Sequence, residues 1–331
     1  MTDAAASAFE DGRLANVDAI LHVRSSVVVD GTSAGTRAID IRVDGGIDVH
    51  LLPDRGLDIG GAWALGRQLA WVSGVGERPP IPAPTNFEWG EAFGGGLMVT
   101  CGLRNVGMPS EGHGLHGTYS HQKATVESIS RHLSEDEAYV EVRAGVDDAA
   151  ATGHHLHLER TVRTHAGRHR IEVDDRTTNL GRSAEPSPIL YHFNFGYPLW
   201  SREARLELDA QRTIPRDRAS EASLESWDRP PDVEDTEERV LEHEVEPVEG
   251  WCSATLANAD MGIAVKIGWR AAELPRLHQW IHPSPGVYVL GVEPANCSTS
   301  GRAHDRSEGR LPMLEPGETR ETTLYLEVDV L

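Results

Sequence analysis

Apolar and polar side chains alternate along many short stretches of the chain. Ile39, Ile41 and Val43 are separated by charged residues, and the same period of two recurs in residues 140–146, 205–209, 263–267 and 324–330. Side chains with this period share one face of a β-strand, so each stretch predicts a strand with one dry and one wet face. Because parallel strands covered on both faces show continuous apolar runs instead, the alternation favours antiparallel sheets.

Turn-forming residues separate these stretches, among them Asp44-Gly45-Gly46, Asn258-Ala259-Asp260 and Glu315-Pro316-Gly317. More than a dozen predicted strands favour stacked sheets over one open sheet. Helical periodicity is scarce, and one short helix is predicted over residues 86–93. Residues 216–250 are rich in Asp and Glu. An interdomain linker is one interpretation, but strand patterns on both sides favour an acidic surface excursion. We therefore predict one all-β domain over residues 1–331.

Composition and charge narrow the classes of partner. The 331 residues are 39% hydrophobic and 25% charged, which is ordinary for a globular protein. Lys and Arg number 31 against 52 Asp and Glu, giving a net charge of −21. Such a field repels phosphate backbones and anionic lipids, so we expect no nucleic-acid or membrane partner. A neutral small molecule is not repelled.

The cysteines and the N-terminus bear on location. Cys101, Cys252 and Cys297 are odd in number and widely spaced, which argues against a disulfide framework and a cysteine zinc site. Residues 1–6 show no basic region followed by an apolar stretch, and no apolar run reaches the length of a membrane helix. We expect a soluble, cytoplasmic protein; the sequence makes no prediction of its oligomeric state.

Candidate chemistry is concentrated in five clusters with apolar or glycine-rich surroundings. They contain Arg55 and Asp58; Arg104 and Asn105; His113 and His116; His192 and Asn194; and Glu293 and Asn296. The first two have structural alternatives, an Arg–Asp pair in a turn and a tight bend between strands. Residues 94–107 lack the lysine of a phosphate-binding loop and any dinucleotide motif opening a helix, so nucleotide binding is excluded.

His192 and Glu293 are the strongest candidates for proton transfer. Each lies among aromatic or aliphatic residues, a setting that disfavours the charged form and moves both pKa values towards neutrality. Pro294 predicts that the strand ends just after Glu293, at the rim of a sheet. The alternative is a buried structural role for both. A metal site formed by His113, His116 and His121 is a weaker hypothesis, because the spacing has no helix or carboxylate to support it.

Several phrases, in this order, resemble the galactose mutarotase-like (aldose 1-epimerase) superfamily, and most closely a bacterial branch labelled as a domain of unknown function. They are Asp54-Arg55-Gly56-Leu57-Asp58, Gly95-Gly96-Leu97 through Thr100-Cys101-Gly102-Leu103, Leu115-His116-Gly117, Tyr191-His192-Phe193-Asn194 and Val292-Glu293-Pro294-Ala295-Asn296. The resemblance implies a large antiparallel β-supersandwich with few short helices. It also implies that His116 contacts the sugar, His192 is the general acid and Glu293 the general base.

The expected function is therefore that of a mutarotase-like isomerase, which interconverts the anomers of a free or modified sugar without a cofactor. We expect the acid and the base on opposite sides of one sugar. Candidate substrate contacts are Arg55, Asp58, Arg104, Asn194, Gln279 and Asn296, with Trp280 stacking on the ring. Two alternatives stay open. One is an isomerase, epimerase or lyase that removes a proton next to a carbonyl, and the other is a non-catalytic carbohydrate-binding protein.

Overall fold

The computed structural model describes residues 11–234 and 237–331. Residues 1–6, from which the sequence analysis predicts no signal peptide, lie outside the described residues. The strands in chain order are β1 (Leu21–Val27), β2 (Arg37–Val43), β3 (Ile47–Leu52), β4 (Asp58–Ala64), β5 (Arg67–Gln68), β6 (Trp71–Val72), β7 (Gly95–Gly96), β8 (Met98–Gly102), β9 (Thr125–Leu133), β10 (Ala138–Ala149), β11 (His155–His165), β12 (Arg170–Asn179), β13 (Glu185–Pro186), β14 (Ile189–Phe195), β15 (Ala204–Glu207), β16 (Ala210–Pro215), β17 (Arg239–Val245), β18 (Trp251–Asn258), β19 (Ile263–Arg270), β20 (Arg276–His282), β21 (Val289–Ala295), β22 (Met313–Leu314) and β23 (Thr319–Val330).

Helical structure in the described residues is short. Two α-helices are present, α1 (Arg218–Glu221) and α2 (Arg302–Ser307), with 3₁₀ turns at Val17–Ala19, Pro53–Arg55, Glu88–Ala92 and Tyr119–His121. The helix predicted over 86–93 is the 3₁₀ turn Glu88–Ala92, because Phe87 supplies no side-chain cap for a longer α-helix. Among the described residues, no helix has the length and apolar character needed to cross a membrane.

Two antiparallel sheets form the body of the protein. The larger has eleven strands in the order β1-β2-β3-β4-β8-β14-β21-β20-β17-β16, with β5 beside β4. The smaller has eight, in the order β15-β18-β19-β23-β12-β11-β10-β9. This arrangement confirms the predicted all-β sandwich.

The principal core lies between the two sheets, where the apolar positions of the alternating strands meet. Ile39 and Ile41 of β2 and Val140 and Val142 of β10 belong to this one buried cluster. The polar positions between them remain at the surface, as in the half-exposed Asp40 and the exposed Arg42. The period of two in the sequence is therefore the period of burial in the fold.

A second apolar cluster covers the opposite face of the larger sheet at its centre. Trp71, Trp89 and Phe93, from the chain between β5 and β8, pack against Val99 of β8 and Leu190 of β14. As a result β14 and β21 are buried at every position. Residues 216–250, interpreted as an acidic surface excursion, also contribute β17 to the larger sheet, next to β20.

Candidate active site

His192 and Glu293 lie on neighbouring central strands of the larger sheet. The register that pairs Leu190 with Ala295 and Phe193 with Val292 places His192 of β14 directly opposite Glu293 of β21. Their side chains therefore project from the same face, and His192 Nε2 lies 3.1 Å from Glu293 Oε1. Both residues are buried, at 4% and 2% exposure.

Two details of the sequence expectation differ from this geometry. The carboxylate is not at a sheet rim, because β21 continues through Pro294 to Ala295 in the middle of the sheet. The acid and base were expected on opposite sides of a sugar, but they stand side by side. Cross-strand neighbours on one face necessarily approach a ligand from the same side.

A cavity of about 260 Å³ opens above this pair. Its lining side chains are mostly aromatic or aliphatic, and several polar groups converge on it. The lining residues are Phe87, Trp89, Gly90, Phe93, Gly107, Met108, Leu115, His116, His192, Arg216, Glu238, Val240, Trp280, Glu293 and Thr299. An apolar cavity with a few convergent titratable groups is the usual form of a small-molecule site.

His116 joins the pair from the loop that follows β8. Its ring lies 5.9 Å from that of His192 and 4.7 Å from that of Trp89, measured between centroids. The backbone N–H of Gly107 donates to Nδ1 of His116 at 3.4 Å. In the neutral imidazole the remaining proton is therefore on Nε2. The backbone of His116 is left-handed, with φ of 56°, so the surrounding loop must hold it in place.

Asn105 is the residue that holds this loop. Its amide group donates to the carbonyls of Met108 (3.1 Å) and Gly114 (2.8 Å) and accepts from the backbone N–H of Arg302 (3.1 Å). These bonds tie both ends of the His116 loop to the start of α2. Asn105 is fully buried and outside the cavity lining, so it acts through His116 and not on a ligand.

We expect Asn105→Ala to lower kcat for the sugar reaction proposed below by about tenfold, because misplaced catalytic groups are costly. Asn179→Ala is the matched control. Asn179 is also fully buried and makes three such bonds, to Ser183, Leu314 and Gly181, far from the cavity. Both variants should lose stability, by roughly 1–3 kcal/mol for each backbone group left unpaired. Equal kcat values for the two folded variants would contradict the role of Asn105.

Burial shifts the pKa values of Glu293, His192 and His116 in the direction that favours the neutral form of each side chain. Burial, and then the nearby charge of Glu238, raise the pKa of Glu293 well above its usual range, while Arg216 opposes the shift. Burial, and then His116, hold the pKa of His192 well below its usual value. Burial lowers the pKa of His116 to about 4. Burial therefore favours the neutral imidazole of His192 over the imidazolium, and the neutral carboxylic acid of Glu293 over the carboxylate.

Arg216 and Glu238 also border the cavity, but the sequence analysis did not predict them as site residues. Glu238 Oε1 accepts from Arg216 Nη2 at 3.0 Å, and Glu238 Oε2 accepts from the indole N–H of Trp280 at 2.9 Å. Glu238 thus fixes Trp280 against the cavity. The available signal was the alternation of Leu241, His243 and Val245 with two glutamates, which marks a strand starting just after Glu238.

The predicted substrate contacts divide into two groups. Trp280 lines the cavity. Asn194 stands two residues from His192 on the same face, but it is fully buried outside the lining, and its amide donates to the carbonyls of Gly96 and His192. Gln279 is next to Trp280 in β20 and so faces the other way, where it bonds His243 and the Trp227 carbonyl. Asn296 is outside the lining and bonds the backbone of Ile189 and Ser187.

Arg55, Asp58 and Arg104 also lie outside this cavity. Arg55 donates to the carbonyl of Ala92, and Asp58 accepts from Thr100 N–H and from buried Arg160. Arg55 and Asp58 line a separate cavity of about 50 Å³. Arg104 lies 3.3 Å from a ring nitrogen of His154. The three side chains therefore form hydrogen bonds with neighbouring backbone groups or side chains.

The three histidines of the metal hypothesis have different surroundings. Nε2 of His113 lies 2.8 Å from Arg302, Nδ1 of His121 accepts from the N–H of Ile81, and His116 faces the cavity. Within residues 11–234 and 237–331, no group of three or more His, Cys, Asp or Glu side chains is arranged to hold a metal ion.

Several solved structures with the same architecture are described as galactose mutarotase-like proteins or aldose 1-epimerases. A Klebsiella pneumoniae protein, provisionally described as an aldose 1-epimerase, superposes with a TM-score of 0.85 at 22% identity, covering 92% of this chain and 83% of its own. A galactose mutarotase-like protein from Clostridium acetobutylicum gives 0.66 at 14% identity, covering 95% and 100%. One from Lactobacillus casei gives 0.58 at 12% identity, covering 88% and 100%.

These similarities define the class of the protein, a β-sandwich with the galactose mutarotase-like fold. The chain belongs to the family described as domain of unknown function DUF4432, whose model matches residues 33–328. No curated protein matches the chain. The predicted resemblance is thus confirmed at the level of fold and family.

Proposed function

We propose that this protein is an isomerase that interconverts the α and β anomers of a small aldose. The observation that carries the proposal is the 3.1 Å contact between the buried side chains of His192 and Glu293 on the floor of an aromatic-lined cavity. The anomeric hydroxyl oxygen and the ring oxygen of an aldose are bonded to the same carbon. Two proton-transfer groups placed side by side can therefore serve both oxygens at once.

Ring opening needs one proton removed and one delivered. The pair reacts in its charged form, which burial disfavours. Glu293, as the carboxylate, takes the proton of the anomeric hydroxyl, and His192, as the imidazolium, gives its proton to the ring oxygen. The bond between the anomeric carbon and the ring oxygen breaks, and the anomeric C–O bond becomes a carbonyl. Rotation about the adjacent C–C bond and closure by the reverse transfers give the other anomer, and the pair keeps its single proton. His116 donates a hydrogen bond from its Nε2–H to the substrate and keeps its proton, and Trp280 covers the ring.

Anomer exchange measured by NMR in heavy water tests this proposal across a panel of aldoses. We expect saturable exchange faster than the spontaneous reaction, with no deuterium bound to carbon, because every transferred proton is on oxygen. Deuterium on carbon would support the alternative, proton removal next to a carbonyl. Tight sugar binding with no acceleration would support a binding protein. Either result would contradict the proposed reaction.

The pH dependence of kcat/KM should show a plateau between an acid limb and an alkaline limb. On the acid side the pair must gain a second proton, on His192, whose pKa is held below its usual value. On the alkaline side it must lose its only proton, which the raised pKa of Glu293 delays. The acid limb should therefore lie below the ordinary pKa of histidine, and the alkaline limb above the ordinary pKa of glutamate. After subtraction of the spontaneous rate, an acid limb with its inflection at or above the ordinary histidine value of about 6.5 would contradict this arrangement.

A further inference from the structure

We infer that the preferred substrate is a neutral deoxy-aldose, a sugar in which at least one hydroxyl group is replaced by hydrogen. The inference rests on the proposed function, since it concerns what the same cavity accepts. It comes from the walls of the cavity and not from its reacting groups.

Apolar side chains face the cavity from four separate segments. Phe87, Trp89 and Phe93 come from the chain around the 3₁₀ turn, Met108 and Leu115 from the His116 loop, Val240 from β17 and Trp280 from β20. One aromatic platform is enough to cover the apolar face of a sugar ring. Apolar walls on several sides meet the edges of the ring as well, where hydroxyl groups project.

Few polar groups remain to bind those hydroxyls. Apart from the three reacting residues, the lining within the described parts of the chain has three polar side chains, Arg216, Glu238 and Thr299. Both oxygens of Glu238 already accept hydrogen bonds, from Arg216 and Trp280. Arg216 Nε is engaged by Asp217 at 3.0 Å. The opposite charges of Arg216 and Glu238 offset each other, which favours an uncharged ligand.

The size and wall chemistry together set the class of ligand. The volume of about 260 Å³ lies near the lower limit of small-molecule sites and suits one monosaccharide. A hexopyranose brings four hydroxyls besides the anomeric one, and each that enters the cavity without a partner loses its hydrogen bonds to water. One such group lowers binding by about tenfold to a hundredfold. Removing it from the sugar removes that penalty.

Matched sugar pairs test the preference directly. We would measure kcat/KM for anomer exchange with 2-deoxyribose against ribose, 2-deoxyglucose against glucose and 6-deoxygalactose against galactose. Each rate is corrected for the spontaneous reaction of the same sugar, because deoxy sugars differ in intrinsic anomerisation. We expect the deoxy member of at least one pair to exceed its partner by tenfold or more. The inference is overturned if no pair reaches that ratio.

A failure of the proposed function is distinguishable from a failure of this inference. If no sugar is anomerised, the proposed reaction fails, and calorimetric Kd values for the same pairs then decide the preference by the same tenfold criterion. If hydroxylated and deoxy sugars are anomerised equally well, the reaction stands and the preference is wrong.

Discussion

Glu293→Gln should lower the rate of anomer exchange by about a hundredfold to ten-thousandfold, the range typical for loss of a positioned general base. Gln keeps the shape and polarity of the side chain but cannot take the proton of the anomeric hydroxyl. His192 remains in the cavity, but its neighbour no longer shares a proton with it. The measurement is kcat from NMR exchange on the best substrate, with the spontaneous rate subtracted.

The same variant should be more stable than the parent protein, although it is less active. Burial raises the pKa of Glu293 in the folded state above its usual 4.5. Between pH 4.5 and this raised pKa, the folded state therefore binds more protons than the unfolded state. Stability contributed by the protonated carboxyl is complete below pH 4.5 and is lost as pH rises through the folded pKa. Gln does not titrate, so Glu293→Gln should unfold at a higher temperature than the parent protein at pH 8.

Glu141→Gln is the matched control, because it makes the same chemical change at another buried glutamate. Glu141 lies in the smaller sheet, and its hydrogen bonds from Arg143 and Arg163 outweigh burial and lower its pKa. This variant should retain the full exchange rate and lose stability at neutral pH. Full activity in Glu293→Gln, or an equal loss in both variants, would remove Glu293 from the mechanism.

Alternation was sufficient to predict the class of fold because burial in a two-layer sandwich follows the pleat of each strand. The stretches around Ile39, Val140 and Leu324 show this. The prediction that His192 and Glu293 are near each other had a different basis, the resemblance to a family. They are 101 positions apart in sequence, and only the pairing of β14 with β21 brings them together.

Local sequence could not assign the remaining site residues, because a shift of one position along a strand reverses the face. Gln279 and Trp280 are adjacent and equally suited to a sugar, yet Trp280 faces the cavity and Gln279 faces away. Arg216 and Glu238 are brought together by the pairing of β16 with β17 across a segment without apolar periodicity. Such placement depends on register, which composition does not encode.

Gly291 is the residue whose lack of a side chain leaves room for the reacting pair. It precedes Glu293 by two positions in β21, on the same face, and is paired with Asn194 on one side and Trp280 on the other. A Cβ at Gly291 would overlap Oε1 of Glu293 and lie 3.1 Å from Cε1 of His192 and 3.0 Å from Cβ of Trp280. The carboxylate therefore occupies space that any other residue would fill.

Gly291→Ala should lower kcat by about a hundredfold, the cost of displacing a catalytic group by an ångström or so. It should also cost roughly 1–3 kcal/mol of stability through overpacking. Gly268→Ala separates the two effects, because a Cβ there would overlap the ring of Tyr325 in the smaller sheet, away from the cavity. We expect comparable losses of stability in the two variants and a loss of kcat only in Gly291→Ala. If both folded variants exchange anomers at the parental rate, the position of the carboxylate does not determine catalysis.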